Sequence, residues 1–476
     1  MNRIATGVVG ALVLATCVGL SAARSGLVAL EAASPTYTRD IAPILFEKCA
    51  SCHRPGEIGP MSLLSYAEVR PWARAIKREV VNREMPPWGA DPRYGRFKHD
   101  RSLSQAQLDA IVAWADAGAP QGAEADMPPR PSFPEGWQYG EPEHIFELPE
   151  VEIAAEGQLD LQYYWVPIPF KEDRFLQALE FRPSNPSVVH HARADVVDLP
   201  PGATVVGGRL VFPSDPSVSP DDRRRNRQAA EAFNFARSTL ISFIPGSSVE
   251  VHPIGTAKRL NGGKYVRFEM HYTPAGRPQK DKTRLGVWFS KAPVRHEVLT
   301  VLNARTLVPG TPGGEPTFFV RGRQLAPTRG ENGQAGRVEF PNILPFEENY
   351  DLAAIMPVTE PITVNSLLPH MHLRGKSLTW TVIWPDGREE IVLSVPKYDF
   401  HWQILYEFAT PLKLPAGSKI TAVGRYDNSP NNKYNPAPDK EVYWSDQSWD
   451  EMFVPYMEYT VDSQEIVPQS TQSPRQ

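Results

Sequence analysis

The sequence predicts a multidomain chain in which a small all-α domain is followed by two all-β sandwich domains of the jelly-roll type. Three observations lead to this prediction. Residues 38–48 and 104–115 have apolar side chains at helical spacing. Residues 161–383 instead contain short apolar runs bounded by turn residues, without long amphipathic helices. The β-rich part has about 320 residues, which exceeds the ~250 residues of one large sandwich, so two are expected.

The composition is typical of a globular protein that does not bind nucleic acid. Of its 476 residues, 41% are hydrophobic, and 50 Lys and Arg stand against 55 Asp and Glu. A net charge of -5 provides no concentrated basic surface for phosphate groups, so nucleic acid is not expected as a partner. The 48 prolines predict many turns and irregular strand ends.

Residues 1–26 predict export from the cytoplasm. A basic residue precedes the apolar run at residues 4–20, and small residues follow it. This pattern predicts a cleaved signal peptide and a periplasmic or secreted protein. An uncleaved membrane anchor is the alternative, because the run is barely long enough to cross a bilayer. Acylation of Cys17 is a further alternative.

The run Cys49-Ala50-Ser51-Cys52-His53 has the C-x-x-C-H spacing of covalent haem attachment. The two thiols of such a motif form thioethers with the haem vinyl groups, and the adjacent histidine binds the iron. A thioredoxin-like C-x-x-C needs a βαβ context, and a zinc half-site needs a second Cys/His pair nearby. The flanking sequence offers neither, so we expect one covalent haem c.

Met85 is the expected sixth ligand of the haem iron. A thioether opposite the histidine raises the reduction potential of a haem, and Met85 lies in a loop that prolines stiffen. Met61 follows His53 too closely to wrap a haem, and Met127 comes after the last helix. The alternatives are His99 as the ligand, or a methionine that only packs in a core.

The helices on either side of the motif complete the prediction for residues 35–121. Ser104 and Gln107 form a capping box that opens the second helix, and Gly118 ends it. These helices resemble the first and last helices that cross in cytochrome c domains. Residues 122–143, which are rich in Pro, Gly and acidic residues, are predicted to be a linker.

The two predicted sandwich domains cover residues 144–292 and 293–465, and residues 466–476 form a tail. The break is placed near Pro293. The β-like runs that carry the prediction are residues 161–166, 239–243, 265–270, 285–289 and 378–383.

Five histidines in β contexts predict metal binding. His370 and His372 are two residues apart, so on a strand both point to the same face and can hold one ion. His190 and His191 point to opposite faces of a regular strand, so sharing one ion requires a bulge or a strand end. His271 lies in the same predicted sandwich as that pair and is available as a third imidazole.

Met452 is the candidate third ligand beside His370 and His372. A thioether together with imidazoles favours copper, in particular Cu(I), whereas carboxylates or thiolates indicate iron or zinc. Without further context, core packing explains a methionine in a β-like run equally well.

The order of these residues resembles a known enzyme family. The succession of His-His, a single His, His-x-His and Asp-Glu-Met over two β domains resembles the copper type II, ascorbate-dependent monooxygenases, which include the peptidylglycine α-hydroxylating and dopamine β-monooxygenases. The resemblance covers roughly residues 145–465. It implies an electron-transferring copper and an oxygen-binding copper, held respectively by His190, His191 and His271 and by His370, His372 and Met452.

The chain departs from that family in three respects. Animal members are rich in disulfides, whereas only Cys49 and Cys52 remain here after the signal. Peptidylglycine enzymes have a substrate-binding arginine where this chain has Leu368, so a glycine-extended peptide is not expected as the substrate. The third departure is the fused haem, which would replace ascorbate as the source of electrons. Tyr456 matches a substrate-pocket tyrosine of the family, although core packing explains it as well.

Together, the haem motif and the resemblance predict an exported haem- and copper-dependent monooxygenase. It would hydroxylate a C–H bond of a small molecule or peptide with O2 at His370, His372 and Met452. Electrons would come from a soluble or membrane-linked one-electron donor through the haem. The alternative is a haem/copper electron-transfer or copper-binding protein that hydroxylates nothing. Histidines without a partner at ligand spacing are interpreted as surface or core residues: His99, His144, His252, His296 and His401.

Overall fold

The structure of the protein, a computed structural model, describes residues 34–157, 159–200, 202–212, 239–244, 246–302, 316–326, 338–445, 447–464 and 466. The predicted signal at residues 1–26 lies outside the described residues. Within the described chain, no helix has the length and apolarity needed to cross a bilayer.

The helices of the described chain lie near its N-terminus. The longest begins with the predicted capping box: the Gln107 N–H donates to Ser104 Oγ at 3.2 Å, and the Ser104 N–H donates to Gln107 Oε1 at 2.9 Å. Tyr37, Leu45 and Trp114 lie in the apolar core that the helices share. The α-helices are α1 (Ala42–Lys48), α2 (Tyr66–Val69), α3 (Ala73–Val81) and α4 (Gln105–Asp116).

The rest of the described chain consists of β-strands and loops. The strands of the first half are β1 (His144–Glu147), β2 (Val151–Ile153), β3 (Gln162–Pro167), β4 (Arg174–Arg182), β5 (Val189–Val197), β6 (Thr204–Val206), β7 (Arg209–Val211), β8 (Thr239–Phe243), β9 (Val249–Val251), β10 (Thr256–Leu260), β11 (Tyr265–Tyr272), β12 (Gln279–Asp281), β13 (Arg284–Phe289) and β14 (His296–Glu297). Those of the second half are β15 (Leu299–Leu302), β16 (Thr317–Val320), β17 (Arg323–Gln324), β18 (Tyr350–Pro357), β19 (Ile362–His370), β20 (Gly375–Ile383), β21 (Glu389–Val395), β22 (Tyr406–Leu414), β23 (Lys419–Tyr426) and β24 (Val454–Val461).

Strands β1–β14 form two main sheets around one core. One sheet has the order β1-β13-β4-β10-β14, with β9 paired to β4, and the other has the order β3-β11-β5-β8. Neighbouring strands are antiparallel, except for β10 and β14. Side chains of both sheets meet in the core, where the rings of Phe181 on β4 and Phe268 on β11 lie 5.8 Å apart. Two-stranded ribbons, β2 with β12 and β6 with β7, lie beside them.

Strands β15–β24 form a second pair of sheets. Their orders are β15-β24-β19-β22 and β17-β16-β18-β23-β20-β21. Buried and partly buried residues alternate along β18, as expected for a strand with one face on a core. Every residue of β24 is buried, because its other face packs against the first pair of sheets, where Tyr456 contacts Arg193.

The predicted architecture is wrong. The chain is mostly β, with 38% strand and 12% helix, and its helices are short. The described residues from Pro35 onward cluster as one compact unit. An all-α cytochrome c domain followed by two separate jelly-roll sandwich domains is therefore not the arrangement of the described chain.

Long-range contacts explain this difference. The segment after α3 leaves the helices and joins the second pair of sheets, where the Gly89 N–H donates to Tyr406 Oη at 3.1 Å and Phe97 forms a β-bridge with Phe408. Trp137, in the predicted linker, is buried against the first pair of sheets. The helices keep a core of their own, but the segment between α3 and α4 packs into the core of the second pair of sheets, a contact that local sequence patterns do not reveal.

Candidate functional site

Three predicted histidine ligands meet where β5 and β11 end. His191 pairs with His271 across the two strands, and the next pair joins Tyr272 to Val189. His190 is therefore the extra residue of a β-bulge, the irregularity that two adjacent histidines need in order to share one ion. The bulge turns His190 towards its neighbours, and the three ring centroids lie 4.8–5.0 Å apart.

The Nδ1 atoms of this trio converge. Nδ1 of His190 lies 3.2 Å from Nδ1 of His271 and 3.1 Å from Nδ1 of His191. Among the described residues, these three are the cluster of potential ligands that can hold a metal ion, with their ligand atoms within 4.8 Å of one another. Nitrogen lone pairs repel each other at these distances unless a proton or a cation lies between them. The geometry therefore allows the three imidazoles to share a proton or to hold one metal ion.

Burial keeps the trio neutral. Desolvation, followed by the charge of His271, lowers the pKa of His190 to about 3. Desolvation also lowers the pKa of His271 to about 4 and that of His191 well below its usual value. A neutral imidazole offers the lone pair that a metal ion needs.

The second histidine pair lies at the end of β19. The ring centroids of His370 and His372 are 5.2 Å apart. Nδ1 of His370 lies 2.5 Å from Oε1 of Gln403, and Nδ1 of His372 lies 3.3 Å from the carbonyl oxygen of Asp450. Both partners are acceptors, so each Nδ1 carries the hydrogen, and each Nε2 keeps the lone pair that can bind a metal.

Met452 lies close to the strand that pairs with β19. His370 pairs with Val454 across β19 and β24, and Met452, two residues before Val454, packs against the apolar cluster of Leu368, Val454 and Tyr456. The buried carboxylate of Glu451 holds the two segments together, since Oε2 accepts from the N–H of His372 at 2.9 Å and from the N–H of Met452 at 3.3 Å.

One aromatic ring lies between the two histidine groups. The Phe400 centroid is 5.5 Å from His190, 6.1 Å from His191, 6.2 Å from His271 and 5.7 Å from His372. The sequence pattern did not single out Phe400, because no ligand spacing involves it.

The residues of the haem motif line a cavity of about 260 Å³. Both thiols, Cys49 and Cys52, are free. His53 is oriented by the carbonyl oxygen of Met61, which lies 3.2 Å from its Nδ1. Gly59 packs so closely that a Cβ at this position would lie 2.7 Å from His53 Nδ1. Other residues lining the cavity include Leu45, Ile76, Val80, Met85, Ile111 and Trp402.

The candidate sixth ligands occupy different places. Met61 also lines the cavity, and its backbone carbonyl oxygen contacts the ring of His53. Met85 reaches the same cavity from the segment after α3. Among the described residues, Met127 and His99 do not belong to the lining of this cavity.

His401, interpreted from the sequence as a surface or core residue, lies beside the first histidine group. Its side chain is 47% exposed, and its ring lies 5.4 Å from that of His190. Its Nδ1 lies 2.9 Å from Oδ1 of Asp399. His252 is buried beside Glu250 at 3.2 Å, and His144 packs on the ring of Phe146. The residues near the histidine groups that no sequence pattern singled out are Asp399, Phe400, Trp402 and Gln403.

No protein-family model and no curated protein matches the chain. Solved structures that share some similarity include an allantoicase, with 8% identity, a TM-score of 0.16 and coverage of 58% of this chain and 81% of that chain. The CBM22-1-CBM22-2 tandem domain of Paenibacillus barcinonensis Xyn10C has 7% identity, a TM-score of 0.13 and coverage of 63% and 78%. A structure of the Gx strain of infectious bursal disease virus has 10% identity and a TM-score of 0.16, and the match covers 67% of this chain and 73% of that chain. Similarities this low support no statement about fold or function.

Proposed function

We propose that the protein is an exported, haem- and copper-dependent monooxygenase that hydroxylates a C–H bond of an organic substrate with O2. The observation that carries the proposal is the convergence of three neutral imidazoles, His190, His191 and His271, at Nδ1···Nδ1 distances of 3.1–3.2 Å. The order of ligand residues along the chain adds the resemblance to the copper type II monooxygenases.

The donors of both histidine groups suit copper. One group offers three imidazoles, and the other offers two imidazoles and the thioether of Met452. Neither group includes a carboxylate, since the nearby carboxylate of Glu451 accepts backbone N–H groups of His372 and Arg374. Imidazole with thioether is the combination that favours Cu(I). Copper bound in these places would supply one-electron chemistry and a site for O2.

The cavity beside α1 suits a covalent haem. Cys49 and Cys52 are one turn apart with free thiols and would hold the haem covalently, and His53, which the carbonyl oxygen of Met61 orients, would bind its iron. Because Met61 follows His53 too closely to wrap a haem, Met85 is the better sixth ligand. Haem held here would supply single electrons to the chemistry.

The chain's own residues position the second histidine group. Nδ1 of His370 bonds to the side-chain oxygen of Gln403 at 2.5 Å. This bond restricts rotation of the ring and keeps its Nε2 directed at the site. The ring of Tyr456 lies 6.0 Å from that of His370, and its hydroxyl accepts from Arg193 Nη1 at 2.5 Å. Tyr456 is therefore anchored by a guanidinium, which favours a positioning role over direct contact with substrate.

The first test is metal analysis of protein matured with haem and reconstituted with copper. We expect a copper-to-haem ratio near two, together with O2 uptake that depends on an organic substrate and yields a hydroxylated product. A ratio near zero overturns the proposal. Copper binding without any substrate-dependent O2 uptake, across a panel of organic substrates, supports the alternative of an electron-transfer or copper-binding protein.

The Met452→Ile variant sharpens this test. Isoleucine fills a similar volume without a sulfur ligand, so we expect substrate-dependent O2 uptake to be lost while the haem spectrum stays unchanged. Met356→Ile is the matched control, because Met356 is buried in the core of the second pair of sheets. Hydroxylation that persists in Met452→Ile contradicts the assignment of Met452.

A further inference from the structure

Residues 399–403, between β21 and β22, touch each of the three candidate centres. Trp402 lines the cavity that also contains Cys52, His53 and Met85. The next residue, Gln403, holds Nδ1 of His370 at 2.5 Å. The segment thus connects the haem cavity to the second histidine group within two adjacent residues.

The two residues that precede Trp402 in the chain contact the first histidine group. The ring of His401 lies 5.4 Å from that of His190. The ring of Phe400 lies 5.5 Å from His190 and 5.7 Å from His372. Phe400 therefore faces both histidine groups at once, and the covalent chain joins it to Trp402 through His401.

Hydrogen bonds fix the conformation of this segment. The Trp402 N–H donates to the carbonyl oxygen of Asp399 at 3.0 Å, and the Ile404 N–H donates to that of Trp402 at 3.0 Å. The Gln403 Nε2 donates to the carbonyl oxygen of Phe400 at 3.1 Å. The backbone that carries the aromatic rings is therefore fixed.

We propose that residues 400–403 form the path by which electrons pass from the haem cavity to both histidine groups, with Trp402 at the haem and Phe400 between the two copper ions. The proposal rests on the proposed function. In each transfer, one electron leaves ferrous haem iron, which becomes ferric, and reaches a cupric ion, which becomes cuprous. No bond forms or breaks, and an external one-electron donor reduces the haem again.

The physical reason is the continuity of covalent bonds from Trp402 to Phe400 and of ring contacts from there to the histidines. Electronic coupling falls much faster across empty space than along bonds and touching rings. Trp402, His401 and Phe400 are consecutive residues, and ring contacts extend the path to His190 and His372. An aliphatic side chain in place of Trp402 or Phe400 would leave a gap in this path.

The test follows single electrons in copper-loaded holoprotein without O2. A photosensitiser reduces the haem with a flash, and the ferrous haem absorbance then decays as Cu(II) accepts the electron. We expect Trp402→Leu to slow this decay several-fold and Trp402→Phe to retain most of the rate. The matched control is Trp384→Leu, whose indole bonds to Glu390 at a distant turn.

A second variant tests the path even if Trp402→Leu fails to bind haem. Phe400 does not line the haem cavity, so Phe400→Leu should keep a normal haem spectrum while the Cu(II) electron paramagnetic resonance signal disappears several-fold more slowly after the flash. Wild-type rates in Phe400→Leu, or in a haem-loaded Trp402→Leu, at a normal copper content overturn the path and leave the proposed function standing. A wild-type protein that binds no copper overturns the proposed function itself.

Discussion

At the residue scale, the two histidine groups differ in the nitrogen that each presents. In the first group the Nδ1 atoms of His190, His191 and His271 face one another. In the second group the Nδ1 atoms of His370 and His372 are held by oxygen acceptors, so Nε2 is presented instead. In the second group the choice is made by hydrogen-bond partners, which orient each ring and select its tautomer.

Replacing His191 with alanine should remove one copper ion from the protein. Two imidazoles would remain in the first group, and the loss of a ligand weakens the site most where all donors are neutral and the surroundings are buried. We expect the copper-to-haem ratio to fall from near two to near one, with an unchanged haem spectrum. The control is His144→Ala, since the ring of His144 packs on Phe146 and Phe170. An unchanged ratio in His191→Ala would contradict the three-imidazole site.

Replacing Gln403 with alanine should weaken copper binding in the second group without removing a ligand. The side-chain oxygen of Gln403 holds Nδ1 of His370, and loss of such a partner costs roughly 10–100-fold in metal affinity. Competition with a Cu(I) chelator measures this change. Gln105→Ala, on the exposed start of α4, should bind copper as the wild type does. Equal affinities for the two variants would show that Gln403 does not position His370.

At the element scale, ligands lie where regular strands stop being regular. His190 is the bulged residue of β5, and His370 is the last residue of β19. A regular strand turns neighbouring side chains to opposite faces, so adjacent ligands require a break in the pairing. The loop after the haem motif is equally constrained, because Gly59 approaches both Cys52 and His53.

Gly59→Ala should therefore impair haem attachment. The added Cβ would meet the Cys52 carbonyl oxygen and His53 Nδ1, each at 2.7 Å, and would displace the histidine that is proposed to bind the haem iron. We expect a lower fraction of covalent haem and an altered visible spectrum. Gly118→Ala is the control: its φ of +84° makes alanine cost roughly 1–2 kcal/mol of stability, but no side chain lies near its Cβ. Normal haem content in Gly59→Ala would contradict this steric account.

At the scale of the whole molecule, buried charges join the two pairs of sheets. The ammonium group of Lys258 on β10 lies 2.5 Å from Glu458 on β24 and 2.7 Å from Glu250 on β9. Lys258 is only 2% exposed. Two buried carboxylates therefore depend on one cation at this interface.

Lys258→Met should destabilise the whole fold. Burial and the neighbouring Glu458 raise the pKa of Glu250 to about 8, so removing the cation leaves mainly the ionised carboxylate of Glu458 buried without its charge partner, which costs about 3–5 kcal/mol in comparable buried pairs. We expect a lower midpoint in denaturant unfolding. The double variant Lys258→Met/Glu458→Gln should recover part of the loss, because it also removes the uncompensated charge of Glu458. An unchanged midpoint in the single variant would show that this cluster contributes little to the fold.

The sequence by itself determined the features that depend on neighbouring residues. The runs predicted as strands correspond to β3, β8, β11, β13 and β20, and the capping box at Ser104 opens α4. The need for a bulge at His190 also followed from the alternation of side chains along a strand. Each of these rests on hydrogen bonding or periodicity within a few residues, so the local sequence is sufficient.

Only the tertiary structure decided how these elements share one compact unit. Phe97 meets Phe408, and Trp402 reaches the cavity of the haem motif, although both contacts join residues far apart in the chain. Apolar burial is non-directional, so any exposed apolar surface can join another, and the choice depends on the shape of the whole fold rather than on local spacing. For the same reason, the contact of Phe400 with both histidine groups left no pattern in the sequence.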